Sequence, residues 1–343
     1  MPGTAYSLEA IFTRAWARRG LLARLLWPLS QIFTLLIWCR RYLYTVGLFK
    51  VTTLPVPVIV VGNIFVGGTG KTPLVIWLVR QLRAQGFVPG VVSRGYGGDV
   101  TAVQPVTFSS SVMQVGDEPI LIVQKTGAPV MVGRDRVAAA RALLACQPDV
   151  NVIVCDDGLQ HYALGRTVEI QLSDQRGHGN GWLLPAGPLR EPASRVSDFY
   201  VVNGGKVASR NTFAMHMSGG YAEQLMQRNR RLDFASLAGQ QGSRPIAALA
   251  GIGNPQAFFT MLRAHGLVLS EARALPDHFD FSGQPLAGLS AARILVTEKD
   301  AVKCAGIPSL ANDARLWVVP IEATINGPLV KKIVEKLRGQ PTA

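Results

Sequence analysis

One stretch of the chain, residues 56–73, constrains the possible fold more than any other. It reads Val-Pro-Val-Ile-Val-Val-Gly-Asn-Ile-Phe-Val-Gly-Gly-Thr-Gly-Lys-Thr-Pro. A β-branched run passes into glycines, and Lys71 and Thr72 then open an apolar segment that ends near Leu82. This order predicts a strand, a tight loop and a helix. The loop amides and the helix N-terminus would then face one anion.

The loop fits a nucleotide-binding P-loop, with one departure from the usual pattern. That pattern is G-x-x-x-x-G-K-[ST], and its first glycine falls here on Phe65. Lys71 can place a positive charge on the outer phosphates, and the Thr72 hydroxyl can bind Mg2+. A glycine-rich turn of purely structural use would leave Lys71 and Thr72 unexplained. The predicted nucleotide-binding residues are Gly67, Gly68, Thr69, Gly70, Lys71 and Thr72.

Composition limits the class of protein and the chemistry of its partners. The 343 residues suffice for two domains of ordinary size. Hydrophobic residues make up 48% of the chain and charged residues 17%, which argues against disorder. The four cysteines form no C-x-x-C pair and indicate buried thiols in a reducing compartment. A net charge of +13 predicts acidic partners: phosphates, anionic lipid headgroups or nucleic acid.

The first 50 residues form a basic and apolar region. They carry one acid, Glu9, against seven basic residues: Arg14, Arg18, Arg19, Arg24, Arg40, Arg41 and Lys50. The apolar run 21–39 approaches the about 20 residues of a spanning helix, but Arg24 interrupts it and we expect Pro28 to break the helix. Tryptophans among the arginines favour residence in the headgroup layer of a membrane. The alternatives are a helical pair packed on the protein's own core and a true membrane span.

From residue 56 onward, apolar strands alternate with helical segments. The predicted strands are 56–61, 88–92, 129–132, 150–155, 168–172, 199–202, 246–250, 268–272, 294–296 and 316–319. The predicted helices are 72–85, 118–124, 134–145, 255–264 and 329–337. This alternation indicates an α/β fold of P-loop type, with a mostly parallel sheet flanked by helices and ligands at the carboxyl ends of its strands.

Changes of character along the chain predict four regions. They are membrane-associating helices in 1–50, a P-loop nucleotide-binding domain in 51–210, a connector in 211–245 and a smaller α/β domain in 246–343.

Two acids follow the apolar strand 150–155. Next to a P-loop, Asp156 and Asp157 are the expected second half of a magnesium–nucleotide site, with one carboxylate holding the metal or its water. The structural alternative is an aspartate that caps the next helix. The polar continuation, residues 158–161, favours the metal site.

Asp117 and Arg190 are further candidates for chemistry. Asp117 either caps the helix that Pro119 begins or orients and deprotonates an attacking hydroxyl, and the sequence leaves both readings open. Arg190 lies in a long glycine- and proline-rich loop, 174–192, of the kind that often carries function. It can neutralise phosphate charge, or it is an ordinary surface arginine.

His278 lies between Asp277 and Phe279 in a segment rich in acids. A lone histidine is more often structural than catalytic, but one beside acids can serve as a pH-tuned partner for a carboxylate. The run 297–300 follows a predicted strand and indicates mainly a helix cap.

Several of these motifs together resemble the tetraacyldisaccharide 4'-kinase family, the lipid A 4'-kinases. The matching segments occur in the family's order and cover about residues 55–303. They are 61–73, 93–98, 116–119, 133–136, 156–161, 184–192, 251–255, 276–278 and 297–300. The departure is Leu159, where an aromatic residue is common in the family.

The resemblance implies a membrane-associated P-loop kinase on the cytoplasmic face of a Gram-negative inner membrane. With ATP and Mg2+, it would phosphorylate the 4'-hydroxyl of a tetraacylated glucosamine disaccharide 1-phosphate. Lys71 would then hold the outer phosphates, and Thr72 with Asp156 or Asp157 would hold Mg2+. Asp117 would accept the hydroxyl proton, with His278 orienting it or tuning its pKa, as the acid–histidine pairing of the family suggests.

Two other classes of function compete with a lipid kinase. The first is a membrane-associated nucleotide-switch NTPase that acts on a protein partner. The second is a basic nucleic-acid-binding protein, but no recognition motif is visible and the positive charge clusters beside apolar residues. We therefore expect a lipid substrate and a membrane surface as partners, with no nucleic acid and no implied protein partner.

Overall fold

The computed structural model describes residues 15–205, 209–242 and 244–339. Glu9 and Arg14 of the basic N-terminal region lie outside the described residues, as do residues 340–343 of the predicted C-terminal domain. The described helices are α1 (Leu21–Thr45), α2 (Lys71–Ala84), α3 (Val112–Val115), α4 (Asp117–Thr126), α5 (Arg136–Cys146), α6 (Phe234–Gly239), α7 (Pro255–Ala264), α8 (Glu298–Ala305), α9 (Pro308–Ala311) and α10 (Leu329–Leu337).

Strands make up the other half of the α/β pattern. They are β1 (Val58–Gly62), β2 (Pro89–Ser93), β3 (Gln104–Val106), β4 (Val130–Val132), β5 (Val152–Asp156), β6 (Val168–Asp174), β7 (Phe199–Asn203), β8 (Thr212–Ser218), β9 (Tyr221–Gln224), β10 (Arg231–Asp233), β11 (Ile246–Ala250), β12 (Leu269–Ala274), β13 (Arg293–Thr297), β14 (Leu316–Val319) and β15 (Glu322–Ile325).

The chain clusters into two compact units, and the first comprises residues 1–71, 157–215 and 326–343. Its strands run parallel in the order β8-β7-β6-β1, with Ile59 of β1 opposite Val168 of β6. All five residues of β1 are buried, as expected for a parallel strand covered on both faces. The P-loop follows directly from the carboxyl end of this strand.

The second unit comprises residues 72–156 and 216–325 and contains strands of two sheets. β5, β2 and β4 lie parallel to one another, and the short β3 pairs antiparallel with β4. The other sheet has six strands in the order β10-β9-β14-β13-β11-β12, of which β14, β13, β11 and β12 are parallel. The predicted α/β fold with mostly parallel sheets is confirmed. The predicted domain limits stay a prediction.

Helix α1 continues through Pro28, so the expected break at this proline is wrong. A proline inside a helix costs about 3 kcal/mol, but contacts made by the turns that follow Pro28 hold α1 in place. The buried Ser30 hydroxyl donates a hydrogen bond of 2.8 Å to the Leu183 carbonyl, and Phe33 and Ile37 pack on a cluster that contains Leu183. The result is one 25-residue helix.

Most of the surface of α1 is not covered by protein. Large side chains such as Leu25, Ile32 and Trp38 are exposed, each to at least 57%. The helix is long and apolar enough to cross a membrane. Length and apolarity alone do not identify a membrane span, because the core helix of a soluble protein can meet the same criteria.

The segment predicted as a connector, 211–245, contains strands β8, β9 and β10 and helix α6. Sequence reasoning missed β9, β10 and α6 because they are short, and in β10 none of the three residues is buried; β8 is longer, with seven residues of which four are buried, and was missed as a strand within the connector. Edge strands of this kind form by pairing with a neighbour, here β10 with β9, and a period-2 apolar pattern does not mark them.

Candidate functional site

The P-loop is held in shape by a buried asparagine, Asn63, which directly follows β1. Its Nδ2 donates to the Thr69 hydroxyl at 2.9 Å and to the Gly67 carbonyl at 3.3 Å. Gly67 and Gly70 have φ values of 94° and 100°, which side chains rarely adopt, so glycine is needed at both positions. Asn63 thus braces a loop whose sequence departs from the usual pattern at Phe65.

An arginine and an asparagine donate hydrogen bonds to backbone carbonyls of the loop. Arg176 donates to the Gly68 carbonyl at 2.6 Å and stacks over the Phe65 ring at 4.6 Å. Asn203, at the end of β7, donates to the Thr69 carbonyl at 3.1 Å. Phe65 therefore has a packing role in this loop.

Lys71, the first residue of α2, points to the same asparagine and to an acid. Its Nζ lies 3.3 Å from Asn63 Oδ1 and 3.6 Å from Asp157 Oδ1. The three polar groups lie at the carboxyl end of β1, where ligands of parallel sheets bind. The lysine side chain is 14% exposed, so it is sheltered and still accessible.

Arg190 joins this group and does not lie alone on the surface. Its guanidinium donates to both carboxylate oxygens of Asp157, at 3.2 and 2.9 Å, and to the Asn63 carbonyl at 2.8 Å. It also hydrogen-bonds Asn63 Oδ1. Lys71 and Arg190 therefore converge on one carboxylate, and the donors that hold Asp157 are of the type that bind phosphate.

Asp157 has a backbone conformation that non-glycine residues seldom adopt, with φ of 50°. Such conformations persist only where the surroundings fix them, and they cluster at functional sites. The two cations and the Gly158 amide, which donates to the Val61 carbonyl at 3.2 Å, tie the segment in place.

The other predicted metal-binding residues are Thr72 and Asp156. Thr72, the second residue of α2, is buried, and so is Asp156 at the end of β5. Asp156 accepts a hydrogen bond of 3.1 Å from Ser93. Within the described ranges, three or more His, Cys, Asp or Glu side chains nowhere form a group that could hold a metal ion. A hydroxyl with one or two carboxylates still suits Mg2+, which takes its remaining ligands from phosphates and water.

A second cluster contains Asp117 and His278, which the structure brings together. His278 Nδ1 lies 3.4 Å from Asp117 Oδ2, and Asp117 is only 1% exposed. Asp117 opens α4, and its Oδ1 accepts a hydrogen bond of 2.9 Å from the Glu118 amide. The N-cap of α4 is Gly116 and Asp117 is already the first helical residue, so the interpretation of Asp117 as the helix cap is wrong, whereas the acid–histidine contact is present.

Glycine and an aromatic ring fix the place of His278. A Cβ at Gly97 would lie 2.9 Å from His278 Nδ1, so the imidazole needs a glycine there. The Tyr96 ring meets the imidazole edge-on, with 4.8 Å between centroids. His278 itself has φ of 58°, an uncommon value for a non-glycine residue.

Two lysines that the sequence did not single out face the same pair. Lys299 Nζ lies 3.3 Å from His278 Nε2 and 3.0 Å from the Glu118 carboxylate. Because an ammonium has no acceptor, His278 Nε2 must accept, which leaves the imidazole proton on Nδ1 facing Asp117. Lys303 Nζ lies 3.4 Å from Asp117 Oδ2. The sequence predicts a helix cap in the run 297–300, and Thr297 does cap α8, but Lys299 in the same run also contacts His278 and Glu118.

Charge neighbours set the protonation of Asp117. Burial by itself raises the pKa of this carboxyl, but the hydrogen bond from His278 and the positive charges of Lys299 and Lys303 outweigh it and leave the pKa below its usual value. Burial lowers the pKa of Lys299, and the carboxylates of Glu118, Asp117 and Asp277 more than offset it, so the net shift is upward. Asp117 is thus an ionised carboxylate that can accept a proton.

Comparisons with known proteins agree with this arrangement. The family model of tetraacyldisaccharide-1-P 4'-kinase, LpxK, matches residues 22–338. The tetraacyldisaccharide 4'-kinase of Janthinobacterium sp. (strain Marseille) is 54% identical over 342 residues, with 98% of each chain covered. The enzyme of that name from Herminiimonas arsenicoxydans is 53% identical over 349 residues, again with 98% of each chain covered.

A solved structure extends the likeness to three dimensions. The crystal structure of LpxK from Aquifex aeolicus in complex with ATP has a TM-score of 0.76 and 28% identity, covering 92% of this chain and 100% of that one. These findings do not favour a nucleotide switch that acts on a protein partner. This chain belongs to the tetraacyldisaccharide-1-P 4'-kinase family.

Proposed function

We propose that this protein transfers the γ-phosphoryl group of ATP to the 4'-hydroxyl of a tetraacylated glucosamine disaccharide 1-phosphate, a step of lipid A biosynthesis. Family membership supplies the reaction and the acceptor. The observation that carries the proposal in this chain is the convergence of Lys71 and Arg190 on Asp157, because two cations beside a P-loop suit a triphosphate.

The loop residues and two cations would bind the nucleotide. The amides of Gly67, Gly68, Thr69 and Gly70 face the phosphates, and Lys71 offsets charge on the β- and γ-phosphates. Arg190 would offset charge on the transferred group. In this reading the phosphates take over the donors that Asp157 engages in the absence of nucleotide.

Thr72, Asp156 and Asp157 are the residues that would hold Mg2+. When bound, the ion neutralises phosphate charge. The hydroxyl and carboxylate donors fit an ion that prefers oxygen ligands.

Asp117 would accept the proton of the attacking sugar hydroxyl. A base must be ionised, and the neighbours of Asp117 favour that state. His278, with its proton on Nδ1, would keep the carboxylate oriented through the 3.4 Å contact. Phosphoryl transfer depends mainly on such positioning and on electrostatics.

Helix α1 would rest on the cytoplasmic face of the inner membrane. Its exposed apolar side chains suit the acyl region and its arginines suit anionic headgroups. An acylated acceptor is then presented at the surface where the enzyme lies. No nucleic acid and no protein partner enter the proposal.

The test is phosphate transfer from labelled ATP to a detergent-dispersed tetraacyl-disaccharide 1-phosphate. Wild type is expected to give a labelled lipid, and Lys71→Ala to give none. Lys331→Ala is the matched control, since this lysine is 78% exposed and its ion pair within the described residues is with Glu335 on its own helix. ATP consumption without a labelled lipid would contradict the proposal and point to a nucleotide switch.

A further inference from the structure

A buried lysine, Lys303, lies behind the Asp117–His278 pair. Its side chain is 5% exposed, and its Nζ is 3.4 Å from Asp117 Oδ2 and 3.1 Å from Asp300 Oδ1. A buried ammonium is costly unless it is paired. Lys303 therefore depends on the two carboxylates, and they depend on it.

Asp300 is held rigidly on the far side of Lys303. It is 0% exposed, and its Oδ2 accepts a hydrogen bond of 3.0 Å from the Gly251 amide and one of 2.7 Å from the Thr297 hydroxyl. A Cβ at Gly251 would lie 3.1 Å from Asp300 Oδ1, closer than most side chains tolerate. Two sequence motifs with no direct role at the phosphates, 251–255 and 297–300, thus meet at this carboxylate.

Lys303 carries the ammonium that lies nearest to Asp117, at 3.4 Å from Oδ2. The other ammonium, that of Lys299, lies 3.0 Å from Glu118 and 3.6 Å from Asp277 but 4.0 Å from Asp117. The charged and titratable groups that face Asp117 are Glu118 on its own helix, Asp277 and His278 on the loop before residue 280, and Lys299, Asp300 and Lys303 on α8.

We propose that Lys303 is a positioning residue for the kinase reaction: braced by Asp300, its ammonium keeps Asp117 ionised and holds Oδ2 beside His278 Nδ1. The inference rests on the proposed role of Asp117 as the base. It assigns α8 and the glycine turn after β11 a purpose in catalysis, which both exert through Asp117.

The proposal has a consequence in pH. Lys303 is one of the charges that lower the pKa of Asp117 against the effect of burial. Without it, burial is less well offset and the pKa of Asp117 rises. A larger share of the base is then protonated at low pH, so activity falls most on the acidic side and recovers as the pH increases. A purely structural role predicts a loss that is the same at every pH.

The experiment is kcat/KM for the lipid acceptor between about pH 5 and about pH 8. Lys303→Met, of similar length and without charge, is expected to lose about tenfold at the acidic end relative to the basic end, with KM for ATP unchanged. Lys303→Arg keeps the charge and is expected to follow the wild-type profile. Lys303→Gln also removes the charge but retains a hydrogen-bond donor for Asp300. If Lys303→Met does not fold, the pH profile of Lys303→Gln tests the proposal in its place.

Lys125→Met is the matched control. Lys125 is a partly buried lysine of α4 that pairs with Glu298 of α8 and has no contact with Asp117 among those described. Its profile is expected to match wild type. A folded Lys303→Met or Lys303→Gln with an unshifted profile, or with a loss independent of pH, would overturn the inference. Full activity of Asp117→Asn would instead refute the proposed base itself, so the two failures are distinguishable.

Discussion

The loop cluster, formed by Asn63, Lys71, Asp157 and Arg190, differs in charge balance from the acid–histidine cluster around Asp117. In the first, two cations share one carboxylate, and the charged side chains are between 14% and 29% exposed. In the second, the Asp117 side chain is 2% exposed and has an imidazole and an ammonium at 3.4 Å.

The difference in charge balance and exposure suits the two clusters to different tasks, anion binding and proton acceptance. A cluster with surplus positive charge and open access suits an incoming anion, because binding replaces an internal partner with phosphate. A buried carboxylate with fixed cations suits proton acceptance, because its charged form is secured before the substrate arrives. The variants below separate these two tasks.

Apart from Lys71→Ala and Asp117→Asn, which form the final test, the largest effect is expected at Arg190. Arg190→Ala removes a donor pair from the loop cluster and should lower kcat by about a hundredfold. Arg190→Lys keeps the charge but loses the forked geometry, so it should recover only part of this loss. Steady-state kinetics at saturating lipid will show this. If lysine restores full activity, charge alone matters and the two-pronged contact does not.

Asn63→Ala should affect nucleotide binding more than the chemical step. It removes the brace between β1 and the loop and leaves the Thr69 hydroxyl and Lys71 without this partner. We expect KM for ATP to rise about tenfold and the free energy of unfolding to fall by about 1–3 kcal/mol. Asn312→Ala, at an exposed turn, is the control. An unchanged KM would mean that the loop keeps its shape without Asn63.

Gly97→Ala tests the acid–histidine cluster without altering a charge. Gly97 and Gly86 both have φ of 84°, but an added Cβ would lie 2.9 Å from His278 at Gly97 and would meet nothing within 4 Å at Gly86. Both variants should lose stability from backbone strain. Only Gly97→Ala should also lower kcat, by about tenfold, because the imidazole shifts. If Gly97→Ala and Gly86→Ala have the same kcat, the position of the His278 imidazole does not affect the rate of turnover.

The smallest effect is a pH dependence of stability. The pKa of folded Asp117 lies below its usual value, so its ionised form stabilises the fold above that usual pKa, and this contribution is lost as the pH falls through the folded pKa. The stability difference between wild type and Asp117→Asn should therefore be larger at neutral pH than near about pH 4. Urea unfolding at both pH values measures it. A difference that grows on acidification would mean that Asp117 is protonated in the fold.

Sequence patterns sufficed where the signal is local. The strand, loop and helix around Lys71 and the acids at the end of β5 follow from composition and spacing within about 20 residues. The capping role of Thr297 is local in the same sense. For Arg190 the sequence left two alternatives open, a residue that neutralises phosphate charge and an ordinary surface arginine. Its hydrogen bond with Asp157, 33 positions away in the chain, places it in the loop cluster.

Longer-range pairing explains what the sequence did not reveal. In the sequence, Lys299 and Lys303 look like exposed residues of a short helix. Their burial depends on carboxylates that are distant in the chain: Glu118, which pairs with Lys299, is more than 180 positions away. The brace by Asn63 was missed because an asparagine after a strand usually indicates a turn. The continuity of α1 through Pro28 depends on Leu183, which no local rule connects to it.

The central claim is that the two clusters divide the work, one holding ATP and the other accepting the proton. The most direct measurement is the ATP dissociation constant together with the single-turnover transfer rate in Lys71→Ala and Asp117→Asn. We predict that Lys71→Ala loses ATP binding, whereas Asp117→Asn binds ATP as wild type does and transfers phosphate about a thousandfold more slowly. Transfer by Asp117→Asn at the wild-type rate, with ATP bound normally, would contradict the account.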